Sequence, residues 1–297
     1  MTQALPETHD DVAALLGMNP VELMNIRQTI HQEYYERVDR SGRKVRRLRV
    51  PSPRLRALQR KLLRGLEPLM PASGSSMAVS GRGAISHAQA HVGFAQCATF
   101  DVKNCFPSVR HTLVARALLR SGIGTAAALC VRDLTTTDGQ LPQGAPTSSW
   151  LLDVVMVEPD VLLSDLASQF GGKYTRYVDD LAISGPRLGS ELESHVRRII
   201  GSIGFSLHPG KSRLYSAPRP ALITGIEVTD SLRPRVEFVR DLRSAIRAKR
   251  LGFEVISAHE LQGRLGWVRQ VSPNLWRLLQ RGGRGDRRRH SSRGWQT

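Results

Sequence analysis

The sequence contains few cysteines and no long apolar segment, and both absences narrow the possible protein classes. Its three cysteines, Cys97, Cys105 and Cys130, have no CxxC spacing among them. This scattered set argues against a disulfide framework and against a cysteine zinc site. No run approaches the roughly 18 apolar residues of a membrane-spanning helix, and the acidic N-terminus lacks the apolar stretch of a signal peptide. We therefore expect a cytoplasmic protein that does not interact with membranes.

Acidic residues are also scarce relative to basic ones. The 297 residues include 43 Lys and Arg but only 26 Asp and Glu, a formal net charge of +17. The eleven basic residues from Arg40 to Arg64 have no acid among them, and six of the last seventeen residues are Arg. Such clustering favours nucleic acid as a partner over a merely soluble basic protein. The hydrophobic content of 40% is that of a globular chain.

Two adjacent carboxylates form the centre of the sequence pattern. Residues 173–184 contain two β-branched and aromatic runs that meet at Asp179 and Asp180, which predicts a β-hairpin with both acids at its tip. Aspartates are common in turns, so an isolated pair would have an ordinary structural explanation. Neighbouring carboxylates repel each other, however, unless a cation lies beside them. Mg²⁺ is the obvious cation, because it binds hard oxygen ligands and leaves coordination positions open for substrate phosphates.

A third carboxylate makes a metal site the better interpretation. Residues 97–100 are mostly apolar and lead to Asp101, so this acid lies at the end of a predicted strand, and Pro107 or Ser108 opens a helix. Two ions about 4 Å apart, bridged by one Asp, can activate the attacking and leaving oxygens of an in-line displacement. The backbone carbonyl of Val102 is a further candidate ligand.

Two loops carry other candidate residues. The octapeptide 141–148 has Gly144 between two prolines, which predicts a stiff loop ahead of a helix that begins near Thr147. Backbone N–H groups at a helix start point outward, and the Gln143 side chain can hydrogen-bond a nucleotide. A second loop contains Lys211, which is either a general acid toward a departing pyrophosphate or an ordinary solvated lysine.

Arginines recur on two predicted elements. Residues 34–50 are predicted to form a β-hairpin, in which alternate side chains share a face suited to phosphate contacts. Its candidate residues are Arg43, Arg46, Arg47 and Arg49. A helix near the C-terminus has a cationic stripe at three- and four-residue steps, formed by Arg240, Arg243, Arg247 and Arg250. Residues 281–297, rich in Arg and Gly, are predicted to be a disordered RNA-binding tail.

A histidine pair interrupts the small and polar stretch that precedes Asp101. His87 and His91 are four residues apart and can share one helix face, as metal-binding histidines do. No Glu or Cys lies at a useful distance, which argues against zinc. Base stacking or backbone hydrogen bonding is the preferred interpretation, so His91 is a candidate nucleic-acid contact.

The remaining pattern is mainly helical. Helices are predicted over residues 10–18, 20–34, 55–70, 149–170 and 191–203, between Ser108 and Cys130, and in the basic C-terminal part, where Ser257 caps one. One short strand is predicted over residues 222–228.

Taken in order, these pieces resemble a reverse transcriptase, most closely the bacterial retron type. The matching segments are residues 100–108, 141–146, 174–180 and 210–212, and the likeness extends over about residues 34–276. The retron assignment depends on residues 87–93 and 223–225. Because many bacterial reverse transcriptases share the catalytic segments, the defence-associated, group II intron-like and diversity-generating groups remain alternatives.

The resemblance implies an α+β, right-hand polymerase fold with fingers, an antiparallel palm sheet and a short helical thumb. The corresponding divisions are residues 1–95 for N-terminal helices and basic fingers, 96–226 for the palm with inserted fingers helices, 227–280 for the thumb and 281–297 for the tail. It also implies two Mg²⁺ ions, replaceable by Mn²⁺, on Asp101, Asp179 and, with a lesser role, Asp180.

The resemblance further implies roles for residues around the metals. Arg46 would hold the triphosphate, and Gln143 with Gly144 would line the deoxynucleotide pocket. Phe106 would exclude ribonucleotides, although the residues alone favour an ordinary core phenylalanine there. The implied partners are dNTPs, a structured non-coding RNA that serves as template and 2′-OH primer, the resulting branched RNA–DNA hybrid, and an effector protein in antiviral defence. The rival functions are RNA synthesis and a non-catalytic RNA-binding scaffold on the same fold.

Overall fold

A computed structural model of the chain describes residues 4–40, 45–70 and 72–281. Within these ranges the protein has twelve α-helices and nine β-strands, which confirms the predicted α+β class. The strands form three separate antiparallel sheets of two, four and three strands. No helix in the described part of the chain is long and apolar enough to cross a membrane.

The N-terminal part combines three helices with a β-hairpin. The helices are α1 (His9–Leu16), α2 (Pro20–Gln28) and α3 (Pro53–Leu66), and the hairpin strands are β1 (Tyr34–Asp39) and β2 (Arg46–Pro51). Thr8 caps α1 by accepting a hydrogen bond from the Asp11 N–H, while Pro53 opens α3 at its first turn. The hairpin predicted over residues 34–50 is therefore confirmed in its strands, whereas its corner at residues 41–44 lies outside the described part.

A four-stranded sheet forms the centre of the molecule. Its strands, in spatial order, are β4 (Lys173–Tyr177), β5 (Asp180–Gly185), β3 (Gln96–Asp101) and β6 (Arg213–Ser216). One face is covered by α6 (His111–Arg120), α7 (Thr125–Thr135), α8 (Ser148–Gln169) and α9 (Leu192–Ser202), which share the main core with the sheet, as does the one-turn α5 (Cys105–Ser108). The six-residue α4 (Ala84–Gln89) lies on the opposite face, where Ala88 belongs to one buried cluster with Cys97 and Ala182 of the sheet. The order of these strands brings two distant segments, β3 and β5, side by side.

A smaller sheet and a helical group follow. The sheet consists of β7 (Ala221–Ile223), β8 (Ile226–Val228) and β9 (Leu232–Pro234), and a second core cluster packs it against the central sheet and α4. The helices are α10 (Val236–Arg250), α11 (Ala258–Val271) and α12 (Pro273–Arg281), which enclose a third cluster around Leu242 and Val268. The Ser257 hydroxyl accepts from the Glu260 N–H and caps α11, as predicted. The predicted tail after residue 281 lies outside the described residues.

The single strand predicted over residues 222–228 is wrong. Thr224 and Gly225 have φ values of 45° and 81°, so they turn the chain and divide the segment into the hairpin β7–β8. A glycine at the second position makes this left-handed turn accessible.

The helix predicted to open at Pro107 or Ser108 also differs. A single helical turn, α5, begins at Cys105 and contains both residues, and the longer helix α6 starts only at His111 because Arg110 is extended, with ψ of 149°. Position 107 is thus inside a turn rather than at a helix start.

Candidate active site

The two adjacent aspartates lie at the tip of the β4–β5 hairpin. Tyr177 pairs with Asp180, so Val178 and Asp179 are the two central residues of the turn. Val178 has a φ of 57°, a left-handed conformation that β-branched residues rarely adopt. The strand register therefore produces the predicted hairpin, and its turn is conformationally strained.

The register between β3 and β5 brings the third carboxylate to this turn. Asp101 is the direct antiparallel partner of Asp180, and side chains of directly opposed residues share one face of a sheet. The Val102 N–H donates to the Asp179 carbonyl over 3.0 Å, which joins the end of β3 to the turn. Three acids that are distant in the sequence thus converge at one end of the central sheet.

Burial and charge repulsion act on this cluster. Burial, followed by the negative charges of Asp179 and Asp101, raises the pKa of Asp180 from its ordinary value of 3.8 to about 6, and the Lys211 ammonium opposes this rise. A carboxylate with a raised pKa is stabilised in its ionised form by any added positive charge.

Lys211 already supplies one positive charge to the cluster. Its Nζ donates to Asp101 Oδ1 over 2.6 Å. The loop that carries it is attached to the same strand end, because the His208 N–H donates to the Asp101 carbonyl over 2.7 Å and the Lys103 N–H donates to the Ser206 carbonyl over 2.8 Å. The structure therefore brings Lys211 to the acids, a contact that sequence reasoning did not identify.

The chemistry of this donor set fits divalent cations. Carboxylate oxygens are the ligands that Mg²⁺ prefers, and the mutual repulsion of these acids is relieved by a cation. Among the residues that the structure describes, no group of three or more His, Cys, Asp or Glu side chains is already spaced to hold a metal ion. Asp101, Asp179 and Asp180 with the Val102 carbonyl are the residues that would hold such ions.

The loop with Gln143 and Gly144 packs against strand β2. Gly144 has φ of 105°, and a Cβ built there would lie 3.5 Å from Val50 Cγ2. Arg49, also on β2, makes two hydrogen bonds with Asp138, which precedes the loop. Helix α8 starts at Ser148 after the Thr147 cap, as predicted. The loop and the basic hairpin are thus neighbours, with Gln143 partly buried.

The predicted nucleic-acid-binding arginines lie in the basic hairpin segment, residues 34–50, and on helix α10. Arg43 lies outside the described residues, and Arg46 belongs to β2 although its side chain is not described. Arg47 is exposed and pairs with Glu36. Arg240, Arg243 and Arg247 are exposed along one side of α10 and border an open cleft with Arg233 and Leu275. These last three arginines present the predicted cationic stripe to solvent.

Phe106 follows Asp101 on the short helical turn α5. Its ring is partly buried and packs against the main core. Both interpretations from the sequence, a core phenylalanine and a side chain at the nucleotide site, are compatible with this position.

The structure contradicts the prediction that His91 contacts nucleic acid. His91 is 2% exposed, and its two ring nitrogens lie 2.6 Å from the Ser184 hydroxyl and 2.7 Å from the Thr175 hydroxyl. His87 is also buried, lies 2.7 Å from the same Thr175 hydroxyl and stacks on Tyr177. Burial lowers the pKa of His87 to about 4 and that of His91 to about 3. The pair therefore joins α4 and the turn that follows it to the β4–β5 hairpin as neutral side chains.

A buried polar cluster lies beneath the turn and was not predicted from the sequence. Arg176 is fully buried and forms ion pairs with Asp153 and Asp160 of α8. Its Nη1 also donates to the Val178 carbonyl over 3.2 Å. The available signal was the presence of two aspartates seven residues apart in a mostly apolar stretch, a spacing that places both on one helix face.

Comparison with known proteins identifies relatives across most of the chain. Residues 38–240 match the family described as reverse transcriptase (RNA-dependent DNA polymerase). The Retron Mx65 reverse transcriptase of Myxococcus xanthus is 30% identical over 92% of this chain and 70% of its own length. The Retron Ec86 reverse transcriptase of Escherichia coli is 25% identical over 78% of this chain and 73% of its own length.

Other similar proteins are longer than this chain. The Retron Mx162 reverse transcriptase of Myxococcus xanthus is 31% identical, and the match spans 79% of this chain and 56% of that protein. Among solved structures, a foamy viral protease-reverse transcriptase in complex with RNA/DNA hybrid is similar with a TM-score of 0.44 and 17% identity. That match covers 80% of this chain and 27% of the viral chain.

The electrostatics of the acids predict a pH-dependent effect of Asp180→Asn on stability in EDTA. Because the folded-state pKa of Asp180 is raised to about 6, its ionisation lowers the stability of the fold as the pH rises from about 4 to 6. We expect the variant to have a higher melting temperature than the wild type at pH 8 and no such gain at pH 4. Glu254→Gln, at an exposed position, is the control for loss of one charge. An equal gain at both pH values would contradict the prediction.

Proposed function

The chain belongs to the reverse transcriptase (RNA-dependent DNA polymerase) family and is of the bacterial retron type, and we propose that it synthesises DNA on an RNA template by metal-assisted phosphoryl transfer. The observation that carries this proposal is the register pairing of Asp101 with Asp180 beside Asp179. All three acids lie within the segment that matches the family, residues 38–240. The right-hand polymerase fold expected from the sequence is that of this family.

In this proposal the acids hold two Mg²⁺ ions, and Mn²⁺ substitutes for Mg²⁺. Asp101, Asp179 and the Val102 carbonyl are the main ligands, and Asp180 has a lesser role. Bound there, divalent ions stabilise negative charge on the attacking and leaving oxygens. Lys211, whose ammonium contacts Asp101, is proposed to protonate the departing pyrophosphate.

The proposed nucleotide site lies between this cluster and the basic hairpin. Arg46 binds the triphosphate, and Gln143 with Gly144 lines the deoxynucleotide pocket. Support comes from the packing of the Gly144 loop on β2, the strand that also contains Arg46. Phe106, close after Asp101, is proposed to exclude the ribose 2′-OH by contact with the sugar.

The proposed nucleic-acid surface is cationic. Arg43, Arg47 on β2, and Arg240, Arg243 and Arg247 on α10 bind phosphates of the RNA template and the RNA–DNA product. The exposure of the three α10 arginines supports this assignment. We retain the divisions 1–95, 96–226, 227–280 and 281–297 as proposed fingers, palm, thumb and tail.

The acid cluster predicts a specific loss of synthesis. Asp179→Asn combined with Asp180→Asn should lower deoxynucleotide incorporation on a primed RNA template by at least about 100-fold, because metal-assisted stabilisation of the reacting oxygens is worth several kcal/mol. RNA binding, measured by filter retention, should persist. Asp10→Asn with Glu254→Gln removes two exposed charges as a control. Retained synthesis would refute the metal-site proposal, and a wild-type chain that binds RNA without synthesis would support the scaffold alternative.

The proposed steric role of Phe106 predicts a change in sugar selectivity. Phe106→Ala should reduce the preference for deoxyribonucleotides over ribonucleotides by at least about 10-fold, since a group added to or removed from a substrate pocket is commonly worth about 1–3 kcal/mol. Phe106→Tyr keeps the ring and should keep the preference. Kinetics of single-nucleotide incorporation with both sugars measures the ratio, and an unchanged ratio in Phe106→Ala would leave this residue with only a core role.

Retron membership supports a finer proposal about the product. We propose that the chain uses its own structured non-coding RNA as template and 2′-OH primer, makes a branched RNA–DNA hybrid in the cytoplasm, and acts with an effector protein in antiviral defence. Sequencing of nucleic acid that copurifies with the chain, with and without debranching treatment, should reveal a 2′,5′-linked hybrid. A linear product would instead place the chain in one of the other bacterial groups.

A further inference from the structure

We propose that Arg176 is the positioning residue of the active-site turn: its buried guanidinium, fixed by Asp153 and Asp160, holds the Val178 carbonyl and thereby the orientation of Asp179. This inference rests on the proposed function, because it concerns the turn that presents the metal-binding acids. Arg176 itself is not placed in contact with substrate or metal.

The guanidinium has nearly all of its donors engaged in fixed directions. Nε and Nη2 donate to the two carboxylate oxygens of Asp160 over 2.9 Å each, and Nη2 also donates to Asp153 Oδ1 over 2.8 Å. Nη1 donates to the Val178 carbonyl over 3.2 Å. The side chain is fully buried, so no water competes with these contacts, and the guanidinium cannot reorient without breaking several of them.

The two carboxylates are themselves held from the opposite side. Asp160 accepts from the Tyr174 hydroxyl over 2.8 Å and from the Ser73 hydroxyl. Asp153 accepts from the Ser76 hydroxyl over 2.8 Å. Both acids belong to α8. The position of the Val178 carbonyl is therefore fixed relative to a long helix and not by the hairpin alone.

The backbone of Arg176 is fixed as well. Its N–H donates to the Ser75 carbonyl over 2.9 Å, and its carbonyl accepts from the Met77 N–H over 2.7 Å. On its inner side it pairs with Leu181 of β5. Neither end of the side chain is therefore free to follow a movement of the turn.

The turn needs such a restraint because of its residue type. Val178 adopts φ of 57°, and a β-branched residue keeps that conformation only when its surroundings impose it. A shift of this residue toward ordinary backbone angles would rotate the peptide that leads to Asp179. Lysine is not an equivalent replacement for Arg176, because one ammonium lacks the planar fork that reaches Asp160 and the Val178 carbonyl together.

The test changes Arg176 while the buried charges remain balanced. Asp153→Asn leaves Arg176 and Asp160 as one cation and one anion, and the Asn oxygen can accept as Asp153 Oδ1 does. Arg176→Lys in this Asp153→Asn background keeps that balance and changes only the shape of the cation. The matched control is therefore Asp153→Asn alone, which touches no residue of the turn. Each protein is assayed for melting temperature, RNA affinity, and kcat and KM for a dNTP at several Mg²⁺ concentrations.

We expect Arg176→Lys/Asp153→Asn to lose at least tenfold in kcat relative to Asp153→Asn and to need more Mg²⁺ for half-maximal rate. RNA affinity should be unchanged. Val178→Gly removes the conformational demand of the turn, so the loss caused by Arg176→Lys should be at least threefold smaller when residue 178 is Gly. If Arg176→Lys/Asp153→Asn does not fold, a triple variant replaces it, namely Arg176→Met/Asp153→Asn/Asp160→Asn. This variant leaves no charge in the cluster, and the same results are expected of it.

The proposal is overturned if kcat and its Mg²⁺ dependence match those of Asp153→Asn, or if the loss is the same with Val and Gly at position 178. Failure of the proposed function is distinct, because then Asp153→Asn and the wild type would themselves incorporate no dNTP.

Discussion

The antiparallel pairing of β3 with β5 is the interaction on which the candidate active site depends. It places Asp101 opposite Asp180 and, through the Val102 N–H, attaches the end of β3 to the Asp179 carbonyl. A shift of one residue in this register would move Asp101 to the opposite face of the sheet. The main core, formed by apolar residues of β3, β5 and helices α6 to α9, stabilises the register against such a shift.

The site stores unfavourable energy that its surroundings offset. Ionised Asp180 is opposed by burial and by two neighbouring acids, and Val178 lies in a left-handed conformation that costs about 1–2 kcal/mol for an L-residue. A hydrogen bond from a charged donor contributes about 1.5–3 kcal/mol. The contact from Arg176 to the Val178 carbonyl is therefore large enough to balance the strain of the turn.

Two buried polar groups connect the catalytic hairpin to other parts of the fold. On one side Arg176 and its acids join the hairpin to α8, and on the other the neutral pair His87 and His91 joins it to α4 through Thr175. The α4 segment also contacts the small sheet, since Thr224 donates to the Ala84 carbonyl. The two segments on which the retron resemblance was based, residues 87–93 and 223–225, are thus neighbours of each other and of the hairpin.

The sequence alone determined the α+β class, the family and the Asp-Asp hairpin, because alternating apolar residues, turn residues and local motifs act over short stretches of chain. It also indicated that Asp101 belongs with Asp179, both from the position of Asp101 at the end of a predicted strand and from the resemblance. Only the tertiary structure decided that His91 is buried, that Lys211 contacts Asp101 and that Arg176 is bound between two acids. These facts depend on which distant side chains meet, and a side chain that is polar in sequence can be satisfied in the interior when its partners come from other elements.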